Sequence, residues 1–137
     1  MKNILIVGCG TIGTKIYDEY KILNPDRYDP YKSLLEKRNI MYDIAFICVD
    51  TPMKDNGDCD LSQVETAINE TNASIIVLRS TVPPTTTDNL ILKTHKHIVF
   101  SPEFYGNTQH SSHQTFNFDF TILGGEKEDC NKVVQVL

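Results

Sequence analysis

The residues with the clearest chemical meaning are three glycines near the N-terminus, in the stretch GCGTIG at positions 8–13. The spacing G-x-G-x-x-G is weak alone, but here an apolar run precedes it and a helical pattern begins within it. Gly8 permits a tight turn, Gly10 lets a pyrophosphate approach the backbone, and Gly13 allows close helix–strand packing. The free N–H groups at the helix start favour phosphate. The motif predicts dinucleotide binding, with a glycine turn that binds nothing as the alternative.

A carboxylate follows at the distance that such a site requires. Asp29 ends the second predicted strand, 21 residues after Gly8, where about 20 is expected. A carboxylate there accepts hydrogen bonds from both hydroxyls of the adenosine ribose and repels a 2′-phosphate. No arginine comes next, because residues 30–32 read PYK. The sequence therefore favours NAD over NADP, and an aspartate that only caps a turn is the alternative.

Three further polar stretches follow predicted buried strands: CVDTP at 48–52, RSTVP at 79–83 and SPEF at 101–104. Loops at the carboxyl ends of parallel strands line the ligand crevice of such folds, so these stretches are expected to converge on the glycine turn. Hydroxyl groups of Ser80 and Thr81 would face the nicotinamide. Glu103 could hold a catalytic water or meet a substrate hydroxyl, and a solvated loop glutamate is the alternative.

The sequence contains no pattern typical of a metal site or of a reactive cysteine pair. In DNGD at 55–58, placing Gly57 at loop position six leaves only Asn56 as a hard-oxygen ligand, so we predict a turn and no metal site. The cysteines stand at 9, 48, 59 and 130 without a C-x-x-C pair, and no secretory signal precedes them. We interpret them as reduced thiols in a cytoplasmic protein. His110 and His113 are assigned to a surface loop.

The elements that must position these residues are short apolar strands alternating with amphipathic helices. This pattern predicts an α/β fold, a Rossmann-like, doubly wound, mostly parallel sheet of about six strands with helices on both faces. The predicted strands are residues 3–8, 27–29, 44–49, 75–78, 97–100 and 120–123. The predicted helices are residues 11–22, 32–38, one N-capped by Asp60 with Gln63 in a capping box, 86–93, and one containing 130–137.

Length and charge narrow the class of protein. The 137 residues are one domain's worth of chain, so we expect a single dinucleotide-binding domain over residues 1–137. The net charge is −5 and the basic residues are scattered, which argues against nucleic-acid and anionic-membrane partners. The longest apolar run, residues 44–49, is far shorter than the roughly 18 residues of a membrane span.

The polar stretches taken in order resemble a known family. ICVDTPMKDNGDCDLSQVETAI, RSTVPPTTT, SPEF and FTILGG are similar to the N-terminal NAD-binding domain of the UDP-glucose/GDP-mannose dehydrogenase family, over most of residues 1–125. That family oxidises the sugar C6 alcohol of a nucleotide sugar to a carboxylate, using two NAD and a thiohemiacetal on cysteine. The resemblance implies a UDP-glucose 6-dehydrogenase-like oxidoreductase of polysaccharide biosynthesis.

The motifs and the resemblance together give the candidate site residues. Thr81 and Glu103 would support catalytic water or proton handling, and Glu103 and Phe104 would lie near the nucleotide sugar. The expected NAD-binding residues are Gly8, Cys9, Gly10, Thr11, Ile12, Gly13, Asp29, Val49, Asp50, Thr51, Ser80 and Thr81.

The chain also departs from the family pattern. Too few residues separate Asp29 from the strand at 44–49 for the family's intervening strand and helix, and Asn107 stands where a second glutamate is usual. No cysteine matches the family nucleophile, and we expect the family's central and C-terminal domains to be absent. We therefore expect nucleotide-sugar binding only with a further domain or partner chain, and a homo-oligomer stays open. The alternatives are a non-catalytic NAD-binding or regulatory module and a structural domain with an empty crevice.

Overall fold

The computed structural model describes residues 2–103 and 121–136, and six strands within them form one sheet. The strands are β1 Ile4–Val7, β2 Asp26–Asp29, β3 Leu34–Leu35, β4 Tyr42–Ile47, β5 Ala73–Leu78 and β6 Ile98–Phe100. Their spatial order is β3-β2-β1-β4-β5-β6. All neighbours are parallel except β3, which runs antiparallel to β2. The predicted doubly wound, mostly parallel sheet is confirmed.

Helices cover both faces of this sheet. Within the described residues they are α1 Thr11–Tyr20, α2 Ser62–Glu70, α3 Thr86–Thr94 and α4 Lys127–Val134. On one face, Ile16 of α1 and Val133 of α4 join the core that contains Ile4 and Ile6. On the other, α2 and α3 pack on the core that contains Leu5. Both faces of β1 are thus buried, which explains its unbroken apolar run. None of the helices in the described ranges is long and apolar enough to cross a membrane.

The helix predicted over residues 32–38 is wrong. Pro30–Lys32 form a 3₁₀ turn, and Ser33 adopts a left-handed φ of 57° that reverses the chain. Leu34–Leu35 then return along β2 as β3. The carboxylate of Glu36 accepts bonds from the backbone N–H and the guanidinium of Arg27, which fastens the far end of this hairpin. Seven residues are too few for a stable helix without tertiary support, so pairing with β2 decides the structure.

The strand predicted at 120–123 is also wrong for the residues that are described. Residues 121–123 form no strand, and only Gly124 pairs with the sheet, in an antiparallel bridge to Phe100 with N···O distances of 2.7 and 2.8 Å. Phe120 lies outside the described residues. The last helix begins at Lys127, earlier than its apolar residues suggest, with Glu128 and Asp129 in a first turn where acidic side chains are favourable.

The capping box predicted at Asp60 does not form. The Asp60 carboxylate accepts the N–H of Ser62 at 2.9 Å. The helix nevertheless begins at Ser62, so Leu61, and not Asp60, is its N-cap. The backbone N–H of Asp60 donates to the carbonyl of Pro52 at 2.8 Å. That N–H is therefore already occupied and is not available to the side chain of Gln63.

Candidate functional site

The glycine turn after β1 is built so that two of its three glycines have no substitute. Gly8 has a φ of +83°, and a Cβ there would lie 2.7 Å from the carbonyl oxygen of Cys48. A Cβ at Gly13 would lie 1.9 Å from the carbonyl oxygen of Gly8. Gly10, the N-cap of α1, differs, because a Cβ there would meet nothing within 4 Å. The backbone at Gly8 and Gly13 is therefore packed too closely against neighbouring backbone to accept a side chain. At Gly10 the space beside the backbone is not filled by protein atoms.

The carboxylate of Asp29 connects the end of β2 to this turn. Its side chain is buried, and Oδ2 accepts the backbone N–H of Cys9 at 2.8 Å. Oδ1 accepts the backbone N–H of Tyr31 at 3.1 Å. A carboxylate oxygen has two lone pairs, so each oxygen keeps one for a further donor. Asp29 can therefore hold the turn and accept ribose hydroxyls at the same time.

A cavity of about 750 Å³ opens beside Asp29, within the usual range for ligand pockets. It lies at the carboxyl ends of β1, β2 and β4. There α1 and α2 leave for opposite faces, as at the ligand crevice of doubly wound folds. Its walls are the glycine turn, the segment after β2, the loop after β4 and one side of α2. The lining residues are Val7, Gly8, Gly10, Tyr28, Asp29, Pro30, Tyr31, Lys32, Cys48, Val49, Asp50, Ser62, Gln63, Thr66, Ala67 and Glu70.

The charges around the cavity are mostly negative. Asp29, Asp50 and Glu70 line it, and among the described lining residues Lys32 is the only cation. The ammonium of Lys32 donates to the carbonyl oxygen of Cys9 at 2.7 Å, which places its positive charge on the glycine turn. A phosphate at the turn would meet a cation and the start of α1, whereas a phosphate near the carboxylates would be repelled.

The loops after β4 and β5 are joined to each other beside the cavity. Ser80 is buried, and its hydroxyl donates to the carbonyl of Val49 at 2.7 Å. The hydroxyl of Thr51 donates to the carbonyl of Thr81 at 2.7 Å. The structure thus brings the predicted loops together, but Thr51, Ser80 and Thr81 do not line the cavity itself. The hydroxyl of Ser80 holds a backbone carbonyl instead of facing open space.

Glu103 is held by an arginine that the sequence interpretation did not use. Its carboxylate forms an ion pair with Arg79, and the two side chains are only 8% and 11% exposed. Arg79 Nη1 also donates to the hydroxyl of Ser101 at 2.7 Å, and its buried Nε has no partner among the described atoms. A solvated loop glutamate is therefore the wrong interpretation of Glu103.

The buried thiols are poor nucleophiles. Cys9 and Cys48 are 3% and 9% exposed. Burial raises the pKa of the Cys48 thiol to about 12. Burial, and next the charge of Asp29, raise the pKa of Cys9. Both groups are protonated at neutral pH, and the thiolate is the reactive form.

Of the other predicted residues, some lie in the first turn of α1 and some lie outside the described residues. Thr11 is exposed at the first position of α1, and Ile12 packs against the core. Phe104 lies outside the described residues, as do Asn107 and the two histidines at 110 and 113. The sequence interpretation missed the α2 wall of the cavity. Its signal was a polar stripe opposite the apolar positions of that helix, at Gln63, Thr66 and Glu70.

The chain is similar to proteins of known families. Residues 30–137 match the model of the UDP-glucose/GDP-mannose dehydrogenase family, NAD binding domain. GDP-mannose 6-dehydrogenase of Pseudomonas aeruginosa is 43% identical over 58 residues, which cover 36% of this chain and 13% of that protein.

Two solved structures share the fold. A UDP-glucose dehydrogenase from Pyrobaculum islandicum superposes with a TM-score of 0.71 at 20% identity, over 100% of this chain and 43% of its own. A GDP-mannose dehydrogenase from Pseudomonas aeruginosa superposes with a TM-score of 0.68 at 21% identity, over 98% of this chain and 43% of its own. The chain thus spans less than half the length of these relatives.

Proposed function

Because the chain belongs to the UDP-glucose/GDP-mannose dehydrogenase family and carries its NAD-binding domain, we propose that NAD occupies the cavity beside Asp29. The observation that carries this proposal is the junction of Asp29 with the glycine turn, through the N–H of Cys9. The carboxylate of Asp29, Gly10 and the start of α1 surround one space, which supports binding of a dinucleotide there. We propose further that residues 1–137 act as a single dinucleotide-binding domain.

Each part of the dinucleotide has a partner in this arrangement. The pyrophosphate would approach at Gly10, where a Cβ would meet no protein atom, and would bind the N–H groups at the start of α1. Asp29 would accept the hydroxyls of the adenosine ribose. The nicotinamide half would extend past Val49 toward Thr51, Ser80 and Thr81, whose loops are already joined by hydrogen bonds. When bound, NAD supplies the acceptor for a hydride.

The carboxylates favour NAD over NADP. The 2′-phosphate of NADP would lie beside Asp29, in a cavity that Asp50 and Glu70 also line. Repulsion between these like charges would cost binding free energy, and the ammonium of Lys32 already donates to the carbonyl oxygen of Cys9. The chain is expected to discriminate by repulsion of the extra phosphate.

The substrate proposal rests on family membership. We propose that the domain serves oxidation of a nucleotide sugar, as in polysaccharide biosynthesis in the cytoplasm, together with a further domain or partner chain. Thr81 and Glu103 would handle water or a proton near the nicotinamide, and Phe104 would lie near the sugar. The raised pKa of Cys48 supports the expectation that this polypeptide alone lacks a nucleophile.

A non-catalytic NAD-binding module is the second candidate. The observation that favours it is the buried pair of Arg79 and Glu103, in which the carboxylate already has a cationic partner. Both candidates require the same cofactor site.

Calorimetric titration of the chain with NAD, NADP and ADP-ribose tests the proposal. We expect NAD to bind, ADP-ribose to bind within a few-fold of NAD because the cavity faces the adenosine half, and NADP to bind more weakly. Gly10→Ala should abolish or strongly weaken binding. Gly124→Ala should not, because Gly124 does not line the cavity and an added Cβ there would lie 3.9 Å from Phe100, an ordinary contact. Absence of NAD binding at millimolar concentration would refute the proposed function.

A further inference from the structure

The helix α2 ends without the cap that most helices use. A helix leaves its last four carbonyl groups without intrahelical partners, and a left-handed residue directly after it, usually glycine, is a common solution. Here Thr71 follows α2 with extended backbone angles, φ −91° and ψ 122°, and its N–H reaches only the carbonyl of Ile68, at 3.4 Å. No residue in the last turn is basic. The carbonyl groups at this end therefore need donors from elsewhere in the chain.

Two lysines outside the helix supply these donors. The ammonium of Lys96 donates at 2.5, 3.0 and 2.8 Å to three carbonyl oxygens, those of Ile68, Asn69 and Thr71. The ammonium of Lys37 donates to the carbonyl oxygen of Glu70 at 2.7 Å. An ammonium has three N–H groups, and Lys96 uses all of them here. Positive charge at the C-terminal end of a helix is also favourable, so both lysines stabilise this end of α2.

The two lysines reach α2 from opposite edges of the sheet. Lys37 follows the edge strand β3, and Lys96 precedes the other edge strand, β6. Burial lowers the pKa of Lys96, and the charge of Lys37 lowers it further, so the two cations act on each other at the end of the helix. The carbonyl dipoles that they contact offset this repulsion.

The segment that the lysines hold, residues 68–71, lies between two cavities. Glu70 lines the cavity proposed for NAD, together with Thr66 and Ala67 of the preceding turn. Glu70 also lines a second cavity, of about 380 Å³, to whose wall Lys96 belongs. Protein atoms therefore do not fill the space on either side of Glu70. The position of this helix end depends on the hydrogen bonds from the lysines more than it would in a filled core.

We propose that Lys96 is a positioning residue of the NAD site, which fixes one wall of the cavity by holding the end of α2. The inference rests on the proposed binding of NAD. Lys96 is not among the described residues that line that cavity, so it acts through the helix and not on the dinucleotide. Lys37 acts in the same sense, with one hydrogen bond in place of three.

The first test removes the ammonium. Lys96→Ala should weaken NAD binding in calorimetry by about threefold or more, the size typical of residues that affect a site without touching its ligand. Hydrogen exchange, measured without NAD, should become faster in residues 66–71 and stay unchanged in β1. Lys93→Ala is the matched control. Lys93 also pairs with α2, through Glu65 at 3.2 Å on the exposed surface, and its loss should change neither measurement.

A small cation separates the role of the ammonium from that of the methylene chain. In Lys96→Ala the three carbonyl oxygens border the space that the side chain leaves. Methylammonium has three N–H donors and should restore both NAD affinity and slow exchange. Tetramethylammonium has the same charge but no N–H group, and at the same concentration it should restore neither. A role of Lys96 in packing alone would give no difference between the two ions.

Lys96→Gln is the milder variant. Its amide keeps two N–H donors without the charge, so its NAD affinity should fall between those of the unmodified chain and Lys96→Ala, and it carries the test if the alanine variant does not fold. NAD affinity that stays unchanged in a folded Lys96 variant, or equal rescue by the two ammonium ions, would overturn the positioning role alone. Failure of the unmodified chain to bind NAD would overturn the proposed function and this inference with it.

Discussion

Asp29 Oδ2 accepts the backbone N–H of Cys9 at 2.8 Å, across a sequence separation of 20 residues. The carboxylate expected to hold the ribose therefore also sets the shape of the turn that is expected to hold the pyrophosphate. A change at Asp29 acts on folding and on binding at once, and the two effects can be separated by choosing the substitution.

Asp29→Ala should destabilise the chain by about 1–3 kcal/mol, because it leaves the N–H groups of Cys9 and Tyr31 without an acceptor. It should also weaken NAD binding by a similar free energy, through loss of the charged ribose acceptor. Chemical denaturation and calorimetry measure the two effects.

Asp29→Asn is the matched variant. Its amide oxygen still accepts one N–H, so it should lose less stability than Asp29→Ala, while the loss of charge should reduce the preference for NAD over NADP by about fivefold or more. An unchanged affinity in both variants would mean that Asp29 is only a turn residue.

The two glycines at positions 10 and 13 should respond oppositely to the same change. Gly13→Ala forces a methyl group to within 1.9 Å of the Gly8 carbonyl, so we expect a loss of about 3 kcal/mol or more, or failure to fold. Gly10→Ala meets no protein atom and should cost about 1 kcal/mol or less, the difference between glycine and alanine at an N-cap. It should nevertheless weaken NAD binding by about tenfold or more, because the methyl group occupies the approach of the pyrophosphate. Normal NAD affinity in Gly10→Ala would contradict the assignment of the turn.

The Arg79–Glu103 pair should show strong coupling. Arg79→Met leaves the buried carboxylate of Glu103 without its cation and should cost about 3–5 kcal/mol. Adding Glu103→Gln removes the buried negative charge, so the double variant should be more stable than Arg79→Met alone. Urea denaturation of both single variants and the double variant closes the cycle. Additive losses would show that the pair carries no interaction.

Stability should fall at alkaline pH. Burial raises the pKa of Cys48 from 9.0 to about 12, and burial with the charge of Glu19 raises the pKa of Tyr20 from 10.0 to about 12. Each group keeps its proton longer in the folded chain than in the unfolded chain. The stability that the protonated group contributes is therefore fully present below pH 9 for Cys48 and below pH 10 for Tyr20. It is lost as the pH rises toward 12.

Cys48→Ala is the test of this dependence. It should lower stability at neutral pH, because it leaves a cavity, and make the decline above pH 9 shallower. Cys59→Ala, at a half-exposed position, is the control and should leave the slope unchanged. A parallel decline in Cys48→Ala and the unmodified chain would contradict the account.

The chain alone should not produce NADH from sugar nucleotides. A four-electron oxidation of the alcohol needs a thiolate to hold the aldehyde, and the pKa values of Cys9 and Cys48 are both raised. NADH absorbance with purified protein, NAD and a panel of sugar nucleotides measures this directly. Steady NADH production that disappears on replacing one of the four cysteines by serine would reveal a nucleophile in this domain.

Much of this architecture is predictable because its signals are local. The burial of β1, β4 and β5 on both faces shows as continuous apolar runs, and the clash that excludes a side chain at Gly13 is with Gly8, within the same turn. The segment after β2 is different. Seven residues with two leucines fit a helical turn as well as a strand, and the decision comes from pairing with Tyr28 and Asp29 and from the bond between Arg27 and Glu36.

The polar environment of the site was harder to predict. Arg79 and Glu103 are 24 residues apart and meet only because β5 and β6 end side by side. The α2 wall depends on which side of that helix faces the crevice, which its apolar residues indicate only after the position of the sheet is known. Sequence periodicity shows which helix or strand a side chain belongs to. Which residue it contacts on the adjacent strand depends on how the two strands are aligned, and the sequence does not show that alignment.

Gly8 rests against the backbone of Cys48, forty residues further along the chain. While the polypeptide emerges from a ribosome, β1 and α1 are therefore exposed long before the strand that completes the centre of the sheet has been made. We therefore expect the glycine turn, which Asp29 also holds, to reach its final packing only when β4 lies beside β1. A nascent chain that ended before β4 would contain the complete glycine motif but would lack the cavity wall formed by Cys48, Val49 and Asp50.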